Sequence, residues 1–214
     1  MWSVPESRSS RTDWPASPPP PWPARVRATL WWHRSTAAAA AYGPGGQTIP
    51  MTLAMMVDYL DSPVGPYREI LASPVLRRPG RGVGALPAMA VPFIAVDSEP
   101  SVHGGRAHWH LPKVLARFGG DAHAAFEAVG DGWRVETSAR PRGPRLPIAG
   151  ALGFAQPTAV GVPAAASARL RGRFRYARVA VGAEGPTIGT WLTSGTHHGI
   201  VVTGRMVTGP ARVS

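Results

Sequence analysis

The sequence predicts a mainly β, antiparallel fold, a sandwich or a barrel, with a few short helices. Among the 214 residues, 25 are Gly and 24 are Pro, so the chain turns often and long helices should be few. Apolar runs are short and end at turn residues, and one segment near residue 170 alternates strictly between arginine and other residues. The length suits one domain with a real core.

Residues 1–24 contain seven prolines and few core-forming residues. This composition is typical of a disordered or polyproline II extension, so we assign 1–24 to a tail and 25–214 to the folded domain. Three tryptophans are unusual in such a tail, namely Trp2, Trp14 and Trp22. They either pack on the domain or mark an interaction segment.

The first half of the domain reads as strands joined by turns. Bulky and β-branched runs predict strands at Arg25–Arg34, Met51–Leu60, Tyr67–Val75 and Ala88–Val96. Pro92 places the last of these at an edge or a bulge. A short helical run is expected at Ala37–Tyr42, closed by Gly43–Gly46, and turn or loop residues fill Ser62–Pro66 and Arg77–Gly84.

In the middle of the chain, Pro112 follows a leucine and is expected to open a short helix, Lys113–Phe118, because proline suits the first helical position. Lys113 would then lie at the positive end of the helix dipole, which disfavours an ammonium. Ala122–Ala128 is expected to extend or follow this helix.

The C-terminal half predicts further strands. In Ala168–Tyr176 one face would carry arginines and the other Leu170, Phe174 and Tyr176, as in a half-buried antiparallel strand. The arginines of this face are Arg169, Arg171, Arg173 and Arg175. Gly199–Val207 is expected to be the last strand.

The composition excludes several function classes. The chain has no Cys, which excludes disulfides, thiolate chemistry and cysteine-ligated metals. The longest apolar stretch, Ala85–Val96, has 12 residues and two prolines, whereas a membrane-spanning helix needs about 20. The N-terminus has no apolar signal-peptide region, so we expect a cytoplasmic protein without a membrane partner.

Lys+Arg exceed Asp+Glu by 23 − 12 = 11. A basic surface suffices for non-specific nucleic-acid binding. No nucleic-acid-binding motif is present, however, and Phe174 and Tyr176 face away from the arginines of their strand. We therefore do not expect nucleic acid to be the main partner.

A single lysine stands among 22 arginines, at Lys113. Arginine stays charged, whereas lysine can lose a proton and attack a carbonyl carbon. Either the sequence is merely biased towards arginine, or this position needs an amine. The sequence around the lysine favours the amine.

The segment Asp97–Lys113 reads DSEPSVHGGRAHWHLPK. A second segment, Gly65–Glu69, contains a Tyr-x-Glu element, and Trp191–Gly199 contains Trp-Leu followed by His-His-Gly. With these segments the chain resembles the acetoacetate decarboxylase family from about Arg25 to Ala211. The matching positions of the first segment are Asp97, Glu99, Pro100, Gly105, Arg106, Pro112 and Lys113.

The resemblance implies a closed antiparallel β barrel of the family's double-cone type and a homo-oligomer. It implies that Lys113 forms a Schiff base, that Glu69 is the acid/base carboxylate and that Arg106 shapes the site. The family's substrate-facing arginine would be Arg27, or otherwise Arg34. Further substrate-binding or site-shaping residues would be Tyr67, His110 and Trp109.

Burial in an apolar pocket disfavours a charged amine, and Trp109, Leu111, Val114 and Leu115 flank Lys113 in the sequence. The free amine would attack a small keto acid, and the resulting iminium would accept the electrons released with carbon dioxide. Glu69 would move the protons. We expect no metal and no other cofactor.

Two positions depart from the decarboxylase. Its second lysine is replaced by Val114, and Thr52–Val57 lacks its second carboxylate, Asp58 being the nearest. Three functions stay open: decarboxylation of a β-keto acid, aldol or dehydration chemistry on a pyruvate-like substrate, and binding of a small carboxylate without chemistry.

Histidines offer the one alternative metal site. His108 and His110 would share a strand face, and His103, His197 or His198 would have to add ligands. No carboxylate has a suitable spacing, so we expect His108 or His110 to line the keto-acid pocket.

Overall fold

In a computed structural model of the chain, residues 14–42, 48–77, 88–158 and 161–213 are described. The tail before residue 14, the Gly43–Gly46 turn and the Arg77–Gly84 loop beyond Arg77 lie outside the described residues.

The described chain is mainly β, as the sequence predicts. Its strands are β1 (Trp22–Arg34), β2 (Thr48–Ile49), β3 (Met51–Asp61), β4 (Tyr67–Ser73), β5 (Leu76–Arg77), β6 (Ala88–Met89), β7 (Phe93–Val96), β8 (Val114–Leu115), β9 (Arg117–Gly120), β10 (Ala125–Gly130), β11 (Trp133–Gln156), β12 (Ala164–Glu184), β13 (Gly195–Thr208) and β14 (Arg212–Val213). Its helices are α1 (Ala37–Ala41), α2 (Glu99–Trp109) and α3 (Ile188–Trp191). Within these ranges, each helix is too short or too polar to cross a lipid bilayer.

One sheet runs through the molecule in the order β2-β5-β6-β11-β12-β13-β1-β3-β4-β7-β8, and β10 joins β11 to β9. Most pairs are antiparallel. The β7–β8 and β6–β11 pairs are parallel. Among the described strands the ladder is not closed. β8 pairs with β7 and β9 pairs with β10, but no pairing between described residues joins β8 to β9 across Ala116. The closed double-cone barrel stays a prediction.

Apolar side chains cover both faces of the central strands. Trp31, Met56 and Ile70 belong to one buried cluster. Val57 lies in a second cluster, together with Trp109 of α2. A strand that is buried on both faces reads as a continuous apolar run, which explains the sequence of Met51–Asp61.

Several predicted elements are confirmed with small changes of boundary: β1, α1, β3, β4 and β13. The predicted strand Ala88–Val96 is instead divided into β6 and β7. These strands pair with different neighbours, and the break includes Pro92. Proline cannot donate to a ladder, so the chain changes partner at this point.

The predicted helix Lys113–Phe118 is wrong. Its residues form β8 and β9, and the Ala116 amide between them donates to the Val96 carbonyl. Ala122–Ala128 is not helical either, because β10 occupies Ala125–Gly130. Pairing with β7 and β11 supplies hydrogen bonds to these segments, and this tertiary choice overrides a weak helical preference.

The folded part begins before the predicted boundary at residue 25. Strand β1 starts at Trp22, whose side chain is buried in the cluster that contains Trp109. The indole rings of Trp22 and Trp109 meet edge to face with their centroids 4.9 Å apart. Trp14 also packs on the domain, beside Tyr67.

The arginine-rich segment lies in β12, as predicted. Arg169, Arg171 and Arg173 are exposed, and Phe174 is half-buried. The prediction for Tyr176 is wrong, because its side chain is 60% exposed. It pairs with Arg142, next to a register shift in β11 that leaves this part of the hairpin outside the core.

Candidate active site

Lys113 and Glu69 form a buried ion pair. The lysine Nζ donates to Glu69 Oε2 at 2.7 Å, and the two residues are only 3% and 2% exposed. Nζ also donates to Ser101 Oγ at 2.9 Å. Two opposite charges removed from water hold each other strongly in place, because each would be costly to bury alone.

Glu69 is placed by the β3–β4 hairpin. The hairpin turns at Ser62–Pro66, where the Gly65 amide donates to the Ser62 carbonyl at 3.0 Å and Gly65 adopts φ +82°. Glu69 pairs with Val57 on β3 and with Val96 on β7. It therefore lies on a central strand, and its carboxylate is enclosed by neighbouring strands and α2.

Helix α2 supplies the other wall. Ser98 caps its N-terminus by accepting the Ser101 amide, and Pro100 lies in the first turn, where it costs no hydrogen bond. Ser101 and Gly105 are one helical turn apart and therefore share a face, which is turned towards Lys113. A Cβ on Gly105 would overlap the lysine side chain, so glycine is required for this close approach.

The chain returns from α2 to the site through a left-handed cap. His110 adopts φ 55°, and the Leu111 amide then donates to the Gly105 carbonyl at 2.9 Å. Lys113 follows three residues after His110 and directs its side chain back along α2. Nζ thus lies beside the first helical turn, where the dipole is positive.

Two tyrosines complete the network. The Tyr59 hydroxyl donates to Glu69 Oε1 at 3.1 Å, and the rings of Tyr59 and Tyr67 stack with their centroids 4.1 Å apart. Lys113 Nζ lies 5.4 Å from the Tyr67 ring centroid, within the range of a cation–π contact. Burial, and secondly the charge of Glu69, raise the pKa of both hydroxyls well above the usual value for tyrosine.

Arg106 acts on the main chain next to the lysine side chain. Its Nε donates to the Lys113 carbonyl at 2.9 Å, and its guanidinium lies 5.5 Å from the Trp14 ring. Burial lowers the pKa of this guanidinium. This hydrogen bond holds the backbone of Lys113, and the site-shaping role of Arg106 stays a prediction.

The structure does not bring Arg27 to this pair. Arg27 is in register with Asp58, which is in register with Arg68, so these three side chains project from the opposite face to Glu69. Arg27 Nη2 lies 3.0 Å from Asp58 Oδ2 and 2.9 Å from Asp121 Oδ2. Asp58 therefore does not supply a second carboxylate beside Lys113.

Trp109 and His110 are two further residues that the sequence predicts at the site. The Trp109 indole is buried and donates to the Gly209 carbonyl at 2.8 Å. His110 is exposed at the end of α2. The expected strand geometry of His108 and His110 is wrong, because His108 lies within the helix. Among the described residues, no group of three or more His, Asp or Glu could hold a metal ion.

The predicted apolar flank is only partly present. Leu111 is buried and Val114 packs against the core, but Leu115 is 39% exposed.

Sequence analysis missed Ser101 and Tyr59. Their signals were the capping pattern Ser98–Ser101, which starts a helix, and the position of Tyr59 two residues from Val57 on the same face of β3.

A separate open groove of about 520 Å³ lies between β9, β10, β11 and β12. Arg134 in its lining bonds Glu127 at 2.6 Å and Glu136 at 2.9 Å. Lys113 does not line this groove. The two carboxylates already engage its arginine, so the groove does not share the chemistry of the Lys113 site.

Known structures share this architecture. The chain superposes on an acetoacetate decarboxylase with a TM-score of 0.69 at 14% identity, covering 94% of this chain and 91% of the other. For the acetoacetate decarboxylase of Legionella pneumophila subsp. pneumophila str. Philadelphia 1 the TM-score is 0.61, with 14% identity and 98% and 93% coverage.

A third similar structure is the enduracididine biosynthesis enzyme MppR, complexed with the condensation product of pyruvate and imidazole 4-carboxaldehyde. Its TM-score is 0.62 at 15% identity, with 92% of this chain and 90% of that chain covered. No family model and no curated protein matches the sequence. The chain has the acetoacetate decarboxylase-like fold, which the sequence resemblance predicted.

Proposed function

We propose that the protein is a Schiff-base-forming lyase that decarboxylates a small β-keto acid through Lys113. One observation carries this proposal: the only lysine of the chain, Lys113, is buried, and its Nζ lies 2.7 Å from the buried carboxylate of Glu69. A structural ion pair would be served equally well by arginine, which the chain uses at every other basic position. Arginine could not act as an amine nucleophile, because its guanidinium stays charged.

The pair can generate its own nucleophile. A proton moves from Lys113 Nζ to Glu69 Oε2 across their 2.7 Å hydrogen bond, leaving a neutral amine and a neutral acid. Ser101 and the Tyr67 ring orient Nζ, and Tyr59 holds the other oxygen of Glu69.

Nζ then attacks the keto carbon, and the Glu69 acid protonates the departing oxygen, so that water leaves and an iminium cation remains. In a β-keto acid the bond to the carboxylate breaks next, its electron pair passes into the iminium, and carbon dioxide and an enamine result. A proton returns to the terminal carbon of the enamine. Water hydrolyses the new iminium to the ketone and regenerates Lys113.

A second candidate is aldol or dehydration chemistry on a pyruvate-like substrate through the same lysine. It is supported by the likeness to MppR, which has been captured with pyruvate and with a condensation product of pyruvate. Val114 in place of a second lysine and the absence of Asp58 from the site also separate this chain from the decarboxylase pattern.

The proposal includes the assembly that the resemblance implies. We propose that residues 114–120 complete a closed barrel, that Arg106 shapes the site, and that the protein acts as a cytoplasmic homo-oligomer. Size-exclusion chromatography with light scattering measures the oligomer. A monomer at micromolar concentration would contradict that part of the proposal alone.

Borohydride trapping tests the reaction. The folded protein is incubated separately with acetoacetate and pyruvate, reduced, and analysed by intact mass and peptide mapping. Lys113 is the only lysine, so an adduct elsewhere can involve only the α-amino group. An isopropyl group on Lys113 would record decarboxylation before reduction, and a carboxyethyl group from pyruvate would favour the second candidate.

Lys113→Met is the matched control, because it keeps an unbranched side chain without the amine. We expect it to fold and to give no adduct in the Lys113 peptide. No adduct with either ketone on folded wild-type protein would refute both reactions with these substrates and favour a protein that binds a small carboxylate without chemistry.

A further inference from the structure

An exposed cationic surface crosses three neighbouring strands. We define the arginine face as Arg25 on β1, Arg205 on β13, and Arg169, Arg171 and Arg173 on β12. All five residues are exposed. The sequence identifies the β12 arginines as one strand face, and strand pairing adds Arg25 and Arg205 to them.

The register aligns these side chains. Arg25 pairs with Arg205, and Arg205 pairs with Arg171, so three guanidinium groups stand in one row across β1, β13 and β12. Adjacent strands are about 4.8 Å apart, and alternate residues along a strand are about 6.7 Å apart. The arginine face therefore spans about 10 Å across the strands and about 13 Å along β12.

Few carboxylates offset this charge. Asp61 approaches Arg25 at 3.8 Å, and both side chains are more than half exposed. Within the described chain, no carboxylate lies within ion-pair distance of Arg171 or Arg205. Like charges directly opposite each other destabilise a sheet, so this arrangement is unfavourable without an anionic partner.

The arginine face lies on the other side of the sheet from the candidate active site. Glu69 is in register with Val57, Ala28, Val202 and Phe174 across β4, β3, β1, β13 and β12. Phe174 neighbours Arg173 in the chain, and successive side chains of a strand point to opposite faces. A ligand on the arginine face therefore would not occupy the Lys113 site.

The charge and the residue types of the arginine face indicate which kind of partner it binds. A second copy of this chain would bring two such faces together at a net charge of +11 each, which opposes association through this face. The positions between the arginines are filled by Thr203 and Val207, which cannot stack on bases. Guanidinium groups bind phosphate oxygens in a bidentate manner.

We propose that the arginine face binds the phosphate backbone of duplex nucleic acid without reading its sequence. This function is independent of the proposed lyase reaction. Non-specific binding of this kind releases counterions, and the logarithm of the association constant falls with the logarithm of salt by about 0.9 per phosphate contact. Five contacts would give a slope of about −4.5.

The test measures binding of the full chain to a fluorescent DNA duplex by anisotropy over a salt series. We expect Arg171→Ser/Arg205→Ser to make the slope shallower by about 1.8 and to weaken binding by about a hundredfold at about 50 mM salt. The matched control is Arg117→Ser/Arg140→Ser, which removes the same charge from exposed positions outside the arginine face.

The control separates a defined surface from net charge alone. Equal weakening by both double variants would overturn the proposal, as would undetectable binding of wild-type protein at low salt. Binding to phosphatidylserine vesicles without binding to the duplex would also overturn it and assign the surface to a membrane. Borohydride trapping at Lys113 is unaffected by either outcome, so the two proposals fail separately.

Discussion

Replacing Glu69 with glutamine tests the electrostatics of the candidate site most directly. The substitution keeps the size and shape of the side chain and removes its charge. Lys113 Nζ would keep Ser101 Oγ as a hydrogen-bond partner at 2.9 Å but would lose the carboxylate at 2.7 Å. The ammonium would then be buried without a counter-charge.

The size of the loss in unfolding free energy follows from the burial of Glu69 and Lys113. Both residues are at most 3% exposed, so water cannot replace the lost partner. Removing one member of such a pair costs about 3 to 5 kcal/mol of unfolding free energy. For a domain of this size that corresponds to a fall in Tm of about 6 to 20 °C.

Urea and thermal unfolding of Glu69→Gln, Lys113→Met and the double variant measure this effect. The double variant should be more stable than the sum of the single effects predicts, by about 2 to 3 kcal/mol. Glu136→Gln is the matched control, because Glu136 bonds Arg134 at 2.9 Å while remaining more than half exposed. Its loss should cost less than about 1 kcal/mol. A Glu69→Gln protein as stable as the Glu136→Gln protein would refute the buried ion pair.

Three other predictions use the same measurements. Gly105→Ala should lose about 1 to 3 kcal/mol and much of its borohydride adduct, because the new methyl group displaces the Lys113 side chain. His110→Gly should keep full adduct formation and gain up to about 1 kcal/mol, because glycine adopts φ 55° without strain. Stability should fall as pH rises above about 10, because the pKa values of Tyr59 and Tyr67 are raised by burial and the unfolded chain releases their protons first. Tyr59→Phe should make that fall shallower in a series of Tm measurements against pH.

Each of these predictions has a result that would contradict it. Gly150→Ala is the control for Gly105, since a Cβ there meets nothing within 4 Å, and equal losses would show that the close approach is unimportant. A loss of trapping in His110→Gly would return this histidine to the substrate pocket. If the slope of Tm against alkaline pH were the same in Tyr59→Phe and wild type, the pKa of the Tyr59 hydroxyl would not be raised in the folded protein.

The strands were the most predictable part of the fold. Met51–Leu60 and Tyr67–Val75 are apolar runs bounded by a Pro-Gly turn, and local chemistry alone identifies them as β3 and β4. Lys113–Phe118 was misread because Pro112 is compatible with a helix start and equally with an extended chain. The Ala116 amide donates to the Val96 carbonyl, which is distant in sequence, and β9 pairs with β10 in a hairpin. These hydrogen bonds decide between the two states.

The sequence identified the two charged residues of the candidate site but not all of the residues around them. Lys113 and Glu69 were selected by residue type and motif, and the structure brings their charged groups together. Ser101 was missed because no helix was predicted at Glu99–Trp109. Arg27 was expected at the site, but its side chain projects from the other face of the sheet, and a one-residue difference in register decides between the faces.

The sequence by itself determined a mainly β chain with one lysine, a Tyr-x-Glu element and a large excess of arginine, because residue type fixes local preference and charge. Only the tertiary structure decided that Lys113 is enclosed between α2 and β4, and that Arg25 and Arg205 align with Arg171. Burial and strand register arise from contacts between residues far apart in the chain. Those contacts turn a lone lysine into a candidate catalytic amine and scattered arginines into one surface.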